Sequence, residues 1–228
     1  MILVLKNQFK TVVKYSVISS LLISSYAFSY DDKYLANGYW LQKDKDTNAN
    51  VSVVHVYEPK KDYVSARMYV PLSFIPKNTK KIEPPMVVCE KCGKGNAYGH
   101  EYDYSSGKEK YQGLEFAWET KKSDQCKPGS EGPVYDTGSV LNPNDGKYYH
   151  LKAQTLDDGD KISVRAYMGW LGRTEYWERV SEEQANKIKD LCGLTDDDVY
   201  PYEDKDRKVI NQKLFEECST RDFIKNPL

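Results

Sequence analysis

Between residues 37 and 180, apolar and polar residues alternate in short runs, and turn residues separate the runs. A period of two is typical of β strands with one face on a core and the other in solvent. The predicted strands cover 37–42, 51–58, 65–72, 113–119, a short segment near Val140, 146–156, 161–168 and 173–180. About eight to nine closely spaced antiparallel strands favour a mainly β protein, either an up-and-down barrel or a sandwich.

Two stretches interrupt this pattern. Residues 73–111 are rich in proline, lysine and glycine and predict a long excursion with little regular structure. Residues 121–133 predict a polar loop that contains Cys126. Both stretches separate strands without ending the predicted β domain, which spans 30–180.

After Val180 the period changes from that of a strand to that of a helix. Residues 181–193 open with a capping box, Ser181 to Gln184, and stop at a glycine. Residues 204–219 predict a second helix with a partly apolar face. We therefore expect a C-terminal helical hairpin appendage over 181–228.

The first 29 residues are predicted to be a secretory signal peptide. Lys6, Lys10 and Lys14 precede a short apolar run that closes on small residues at Ala27. The alternative, a transmembrane anchor, needs a longer and less serine-rich run. We expect an exported protein, periplasmic or secreted, with no transmembrane segment in the mature chain.

Charge and composition narrow the class of protein. Loss of the three signal-peptide lysines takes the formal charge from −1 to −4, and no basic block follows. Nucleic-acid binding is therefore not expected. The chain has 19 tyrosines and 6 phenylalanines, and tyrosine suits half-buried strand positions.

The strand region carries a resemblance to a known family over about residues 37–180. The matching positions are Gly38, Trp40, Cys89, Cys92, Gly113, Leu114, Pro143, Gly146, Lys147, Tyr149, Val164, Arg165, Tyr167, Gly169, Gly172, Arg173, Trp177 and Arg179. This order resembles the exported bacterial domain-of-unknown-function family 2147. Asn142 and Ala166 depart from its usual Asp and Gly. The resemblance implies a lipocalin-like barrel of eight strands with an interior cup, and no known substrate.

The resemblance also implies a closed barrel end. In lipocalin-like barrels a first-strand tryptophan is covered by a last-strand arginine through a cation–π contact and guanidinium hydrogen bonds. Trp40 and Arg179 match these positions, and Arg165 is a rival for the same stacking role. All three are expected to be structural residues.

The cysteines allow three interpretations of the Cys89–Cys92 pair. With His100 and Cys126 it resembles a zinc ligand set, but the outer spacings match no zinc module. A redox pair needs a CxxC that opens a helix, which this loop does not offer. Export and the family pattern favour a local disulfide.

Two further cysteines, Cys192 and Cys218, lie late in the two predicted helices. A disulfide between them would pin the helical hairpin. Cys126 is then left over, free or intermolecular, or paired with one of the others. No metal and no cofactor are expected.

The barrel interior is the candidate binding site. Small eight-stranded barrels either fill with side chains or hold one small ligand, and both alternatives stay open here. The expected lining consists of Tyr57, Met68, Val70, Phe116, Trp118, Val164, Tyr167 and Met168. Neither a G-x-S-x-G elbow nor an H-E-x-x-H motif occurs, so an enzyme is not expected.

The sequence thus favours an exported binding protein for a small, partly apolar ligand. The rival is a filled barrel that acts as a structural or protein-interaction module of the envelope. In that case the 73–111 excursion and the helical tail would contact an envelope or host protein. The candidate partners are accordingly a small hydrophobic ligand or such a protein.

Overall fold

A computed structural model describes residues 32–97, 100–123 and 132–228 of the chain. The predicted signal peptide and Cys126 lie outside the described residues, and their predicted roles stay predictions. The strands are β1 (Gly38–Lys43), β2 (Asn50–Lys60), β3 (Tyr63–Pro71), β4 (Lys94–Ala97), β5 (His100–Asp103), β6 (Glu115–Lys122), β7 (Val134–Asn142), β8 (Lys147–Leu156), β9 (Lys161–Met168) and β10 (Leu171–Val180). Two helices follow, α1 (Glu182–Cys192) and α2 (Gln212–Thr220).

Eight of these strands close into one antiparallel barrel. The order around the barrel is β1-β10-β9-β8-β7-β6-β3-β2, so neighbours in sequence are neighbours in space except where β4 and β5 intervene. Closure through the β1–β10 pair removes the sheet edges that a sandwich would leave. The predicted antiparallel up-and-down barrel is confirmed.

The 73–111 excursion has more structure than its composition predicts. β4 and β5 form a separate two-stranded sheet, and isolated bridges join Phe74 to Glu83 and Val88 to Lys110. Ring stacking explains how this hairpin is held: Tyr102 of β5 stacks on Trp118 of the barrel, with ring centroids 5.0 Å apart. The excursion therefore covers part of the barrel wall.

The C-terminal tail packs against the outside of the barrel. Leu41, Val53 and Leu72 of the wall share a buried cluster with Ile188 of α1 and Phe215 of α2. Burial of these apolar faces on both sides stabilises two helices that are too short to persist alone in water. The tail and the β1–β2–β3 wall therefore stabilise each other.

The second helix begins later than the sequence pattern predicts. Asp204 starts a turn in which its carboxylate accepts the backbone N–H groups of Asp206 and Lys208, and Arg207 adopts a φ of 64°. This local bonding competes with helix formation. α2 then starts at Gln212, where the side chain of Asn211 caps it.

Both predicted disulfide pairings are present. Cys89 is bonded to Cys92, and Cys192 of α1 is bonded to Cys218 close to the end of α2. The first bond engages both sulfurs of the pair that resembled a zinc ligand set. The second bond ties the two helices together on the outside of the barrel.

Candidate functional site

One end of the barrel is sealed by a tryptophan and an arginine. The Arg179 guanidinium lies 4.1 Å from the ring centroid of Trp40, whose side chain is fully buried. Trp40 Nε1 donates a hydrogen bond of 2.8 Å to the carbonyl of Ala36. Burial lowers the pKa of Arg179 from its ordinary value. An arginine guanidinium stays protonated in proteins, so the cation–π contact persists at physiological pH.

The same guanidinium ties the chain segments that converge at this end. It donates hydrogen bonds to the carbonyls of Lys33, Leu35, Asn37 and Gly159 at 3.1, 2.7, 2.8 and 2.6 Å respectively. These acceptors come from the segment before β1 and from the β8–β9 connection. Arg179 therefore acts as a clamp across the closed end of the barrel.

Gly38 makes room for this clamp. Its φ of 126° is favourable only for glycine, and a Cβ at this position would lie 2.9 Å from Nη1 of Arg179. The rival arginine has a different place: Arg165 Nη1 donates to Thr174 Oγ1 at 3.3 Å, toward the other end of the hairpin. Arg179, and not Arg165, covers Trp40.

Above the closed end the barrel encloses a cavity of about 680 Å³. Most of its walls are apolar and come from strands all around the barrel. These wall residues include Val56, Val64, Ala66, Met68, Phe116, Val140, Leu141, Leu151, Ala153, Ile162, Val164, Ala166 and Trp177. A volume of this size lies within the range of small-molecule sites. The filled-barrel alternative gains no support from such an interior.

Four of the predicted lining residues, Met68, Phe116, Val164 and Met168, line the cavity. Tyr167 borders it, but its ring stacks on His150 and its hydroxyl donates to Asp136 at 3.3 Å. The side chain of Tyr167 is thus engaged with other residues of the wall.

Three predicted lining residues lie elsewhere, and Val70 is the clearest correction. Val53 pairs with Val70 while the next residue, Val54, pairs with Met68, so Tyr69 is an extra residue in β3. A bulge of this kind breaks the alternation of faces. Val70 therefore joins the cluster under the helical tail.

Trp118 is displaced by a register shift of the same kind. Arg67 pairs with Glu115 and the preceding residue, Ala66, pairs with Ala117, which lines the cavity. The next residue, Trp118, packs against Tyr102 of β5 instead. The alternation of inward and outward side chains along β6 is interrupted at this shift, so Trp118 does not face the cavity as predicted.

Tyr57 belongs to an aromatic cluster that includes Tyr39, His55 and Tyr69. His55 stacks on Tyr39 with ring centroids 4.5 Å apart, and the Arg67 guanidinium lies 5.0 Å from the Tyr57 ring. Burial, followed by the hydrogen bond and charge of a nearby glutamate, raises the pKa of Tyr57 to about 12. Burial and the charge of Arg67 lower the pKa of His55, whose Nδ1 accepts from Arg67 Nε at 3.1 Å.

Polar lining groups are concentrated near the open end. Glu175 Oε2 accepts from Gln42 Nε2 at 2.8 Å and from Trp177 Nε1 at 3.4 Å, and Oε1 pairs with Arg173 Nε at 3.2 Å. Lys147, at the start of β8, also belongs to the lining. A ligand could bury an apolar part against the walls and keep a polar part near these groups.

Sequence reasoning missed several lining residues on β8 and β9. Leu151 and Ala153 alternate with polar neighbours in "YYHLKAQTL", and Ile162 opens the alternation of β9. The period-two pattern was sufficient to assign them to the same face. The polar group Glu175 gave no such signal, because a charged residue in a strand normally faces solvent.

The described residues hold neither a cluster of metal-ligating side chains nor a membrane-spanning helix. No group of three or more His, Cys, Asp or Glu side chains in 32–97, 100–123 and 132–228 could hold a metal ion. No helix in these ranges is long and apolar enough to cross a membrane.

The chain has matches among family models and among solved structures. Residues 38–179 match the model of a family described as "Uncharacterized protein conserved in bacteria (DUF2147)". Among solved structures, the chain is similar to HP1028 from the human pathogen Helicobacter pylori, described as belonging to the lipocalin family. That match has 17% identity and a TM-score of 0.44, and it covers 67% of this chain and 88% of that one. No curated protein matches the sequence significantly.

Proposed function

Because the chain belongs to the DUF2147 family and its barrel encloses a large apolar interior, we propose that it is an exported binding protein for a small, partly apolar ligand. The observation that carries this proposal is the cavity of about 680 Å³. Its volume corresponds to that of roughly 20 water molecules in the liquid. Burial of an apolar ligand against such walls is favoured by about 25 cal/mol for each Å² removed from water.

The distribution of polar groups supports one orientation of the proposed ligand. Lys147, Arg173 and Glu175 line the open end, whereas Val64 and Ile162 line the wall nearer the sealed end. We expect the apolar part of the ligand to enter first and its polar part to remain beside the charged residues. This orientation leaves few polar groups of the ligand without partners.

Export is the second part of the proposal. The signal-like pattern of residues 1–29 supports it, and so do two disulfides, which persist in oxidising compartments. Native mass spectrometry of protein purified from its own host tests both parts together. We expect a reproducible excess mass that organic solvent removes, on a chain that lacks its signal peptide.

A fluorescent fatty-acid analogue provides the matched binding test. Val164→Trp places a bulky ring inside the cavity, whereas Lys152→Trp places the same ring at a β8 position outside the lining. We expect the first variant to weaken probe binding at least tenfold and the second to leave it unchanged, while both retain the circular dichroism of the parent. Equal affinities for the two variants would contradict a ligand site inside the barrel.

A further inference from the structure

The turn between β9 and β10 exposes three large apolar side chains beside the cavity. Met168 is 56% exposed, Trp170 86% and Leu171 60%. Gly169, with a φ of 58°, allows the tight turn that separates the two strands. We call residues 168–171 the hairpin tip. In the described part of the chain, the other exposed large apolar residues are single positions away from this turn.

The exposure of Trp170 is not needed by the fold. The register of the hairpin is set by the pairing of β9 with β10, from the Met168–Leu171 pair to the Ile162–Trp177 pair. This pairing does not involve the side chain of Trp170. An exposed tryptophan at a turn costs solubility and contributes little packing. A surface that removes it from water would explain its presence.

The hairpin tip is continuous with the mouth of the cavity. Met168 and Leu171 of the tip also line the cavity, and so does Arg173 two residues later. The tip therefore forms part of the rim of the cavity. Trp170 does not belong to the lining, so it can contact another surface without altering the cavity.

The β9–β10 hairpin carries two cations beside the tip, of which Arg173 is paired with Glu175. The stretch "SVRAYMGWLGRT" (163–174) contains two arginines and no acidic residue. Arg165 lies along the turn, with Nη2 2.9 Å from the Cβ position of Gly172. Arg173 is 60% exposed at its side chain, although it also contacts Glu175. Each cation near an anionic lipid surface strengthens the attraction about fivefold.

We propose that the hairpin tip inserts into the headgroup region of an anionic lipid bilayer and so holds the cavity mouth against the membrane. Tryptophan prefers this interface, where its ring is buried and its N–H stays hydrated. A tip of four residues is small for a protein partner, because stable protein interfaces take about 800 Å² from each side. Docking is a function beyond ligand binding and does not require an occupied cavity.

Vesicle binding by the intact protein tests the proposal, and Trp170 serves as the reporter. The other three tryptophans, Trp40, Trp118 and Trp177, are buried, so a change of environment at the tip dominates the emission shift. We expect a blue shift and co-sedimentation with vesicles of phosphatidylglycerol and phosphatidylcholine. Binding to phosphatidylcholine alone is expected to be weaker.

Three variants give the expected result its specificity. Trp170→Ser should weaken co-sedimentation roughly tenfold or more, because the apolar area that it buries is lost. Arg165→Gln should weaken it about fivefold on anionic vesicles alone. Tyr176→Ser removes an exposed aromatic ring (61% exposed) from the same hairpin but away from the tip, and should bind as the parent does.

Three outcomes would overturn the proposal. The first is a Trp170→Ser protein that binds vesicles as well as the parent, and the second is a parent that binds neither kind of vesicle. The third is a dimer in sedimentation velocity that Trp170→Ser abolishes, which would assign the tip to a second copy of the chain. Failure here is separate from failure of the ligand site: Val164→Trp should still bind vesicles, and Trp170→Ser should still bind the fatty-acid analogue.

Discussion

Replacement of Arg179 by methionine should destabilise the protein more than any other single arginine substitution in the barrel. The variant loses the hydrogen bonds to Lys33, Leu35, Asn37 and Gly159 and the cation–π contact with Trp40. Methionine keeps most of the apolar stem and can still pack on the ring. The perturbation is therefore confined to the guanidinium.

The magnitude follows from these contacts. Four hydrogen bonds at about 1 kcal/mol each and a cation–π contact of about 1 kcal/mol give about 5 kcal/mol. Relief of the arginine's desolvation and of its side-chain ordering returns about 1–2 kcal/mol. The expected net loss is about 3–4 kcal/mol in the free energy of unfolding, or roughly 10 °C in Tm for a chain of this size.

Urea denaturation, followed by circular dichroism and tryptophan fluorescence, measures this loss. Arg165→Met is the matched control, because Arg165 makes one long side-chain hydrogen bond, to Thr174 at 3.3 Å. Its cost should stay below about 1 kcal/mol. Arg179→Lys should recover only part of the stability, since one ammonium group cannot reach carbonyls on several segments. Equal costs for the two methionine variants would refute the reading of Arg179 as a clamp.

Two further predictions concern the disulfides and His55 of the aromatic cluster. Conversion of Cys192 and Cys218 to alanine should lower the free energy of unfolding, measured in urea, by about 3.5 kcal/mol. Conversion of Cys89 and Cys92 should lower it by about 2 kcal/mol, because the sequence separations of 26 and 3 close loops of very different length. The reverse order would contradict the chain-entropy account. The folded protein lowers the pKa of His55, so the unfolded chain binds the additional proton and stability should fall as pH drops below about 6.5. The His55→Gln variant should lose stability less steeply between pH 8 and 5, and parallel profiles would rule out this contribution.

The eight barrel strands could be predicted from the sequence because their alternation is local. Each strand carries its own pattern, and the turns between them contain glycine, asparagine and aspartate in the expected places. Pairing between most sequence neighbours follows, since antiparallel strands with short connections lie side by side. The alternation alone did not decide between a barrel and a sandwich. The family resemblance added the closed end, where Trp40 and Arg179 meet.

Individual cavity residues could not all be predicted, for a definite physical reason. Whether Val70 faces inward depends on the extra residue Tyr69, which appears only when β3 is paired with β2. Trp118 depends in the same way on the pairing of β6 with β3. A bulge has no periodic signature within a single strand, so strict alternation assigned both residues to the wrong face.

Most of the features described above stabilise the barrel, whereas the hairpin tip is exposed to solvent. Arg179 seals one end, the helical tail covers the β1–β2–β3 wall, and Tyr102 of β5 packs against the wall at Trp118. Each of these contacts buries apolar or aromatic surface, as expected of structural packing. At the mouth of the cavity, by contrast, the apolar side chain of Trp170 is exposed to water. A polar turn residue would serve the fold equally well at this position. Because Met168 and Leu171 of the hairpin tip also line the cavity, contact between this tip and another surface would act directly on the rim of the cavity.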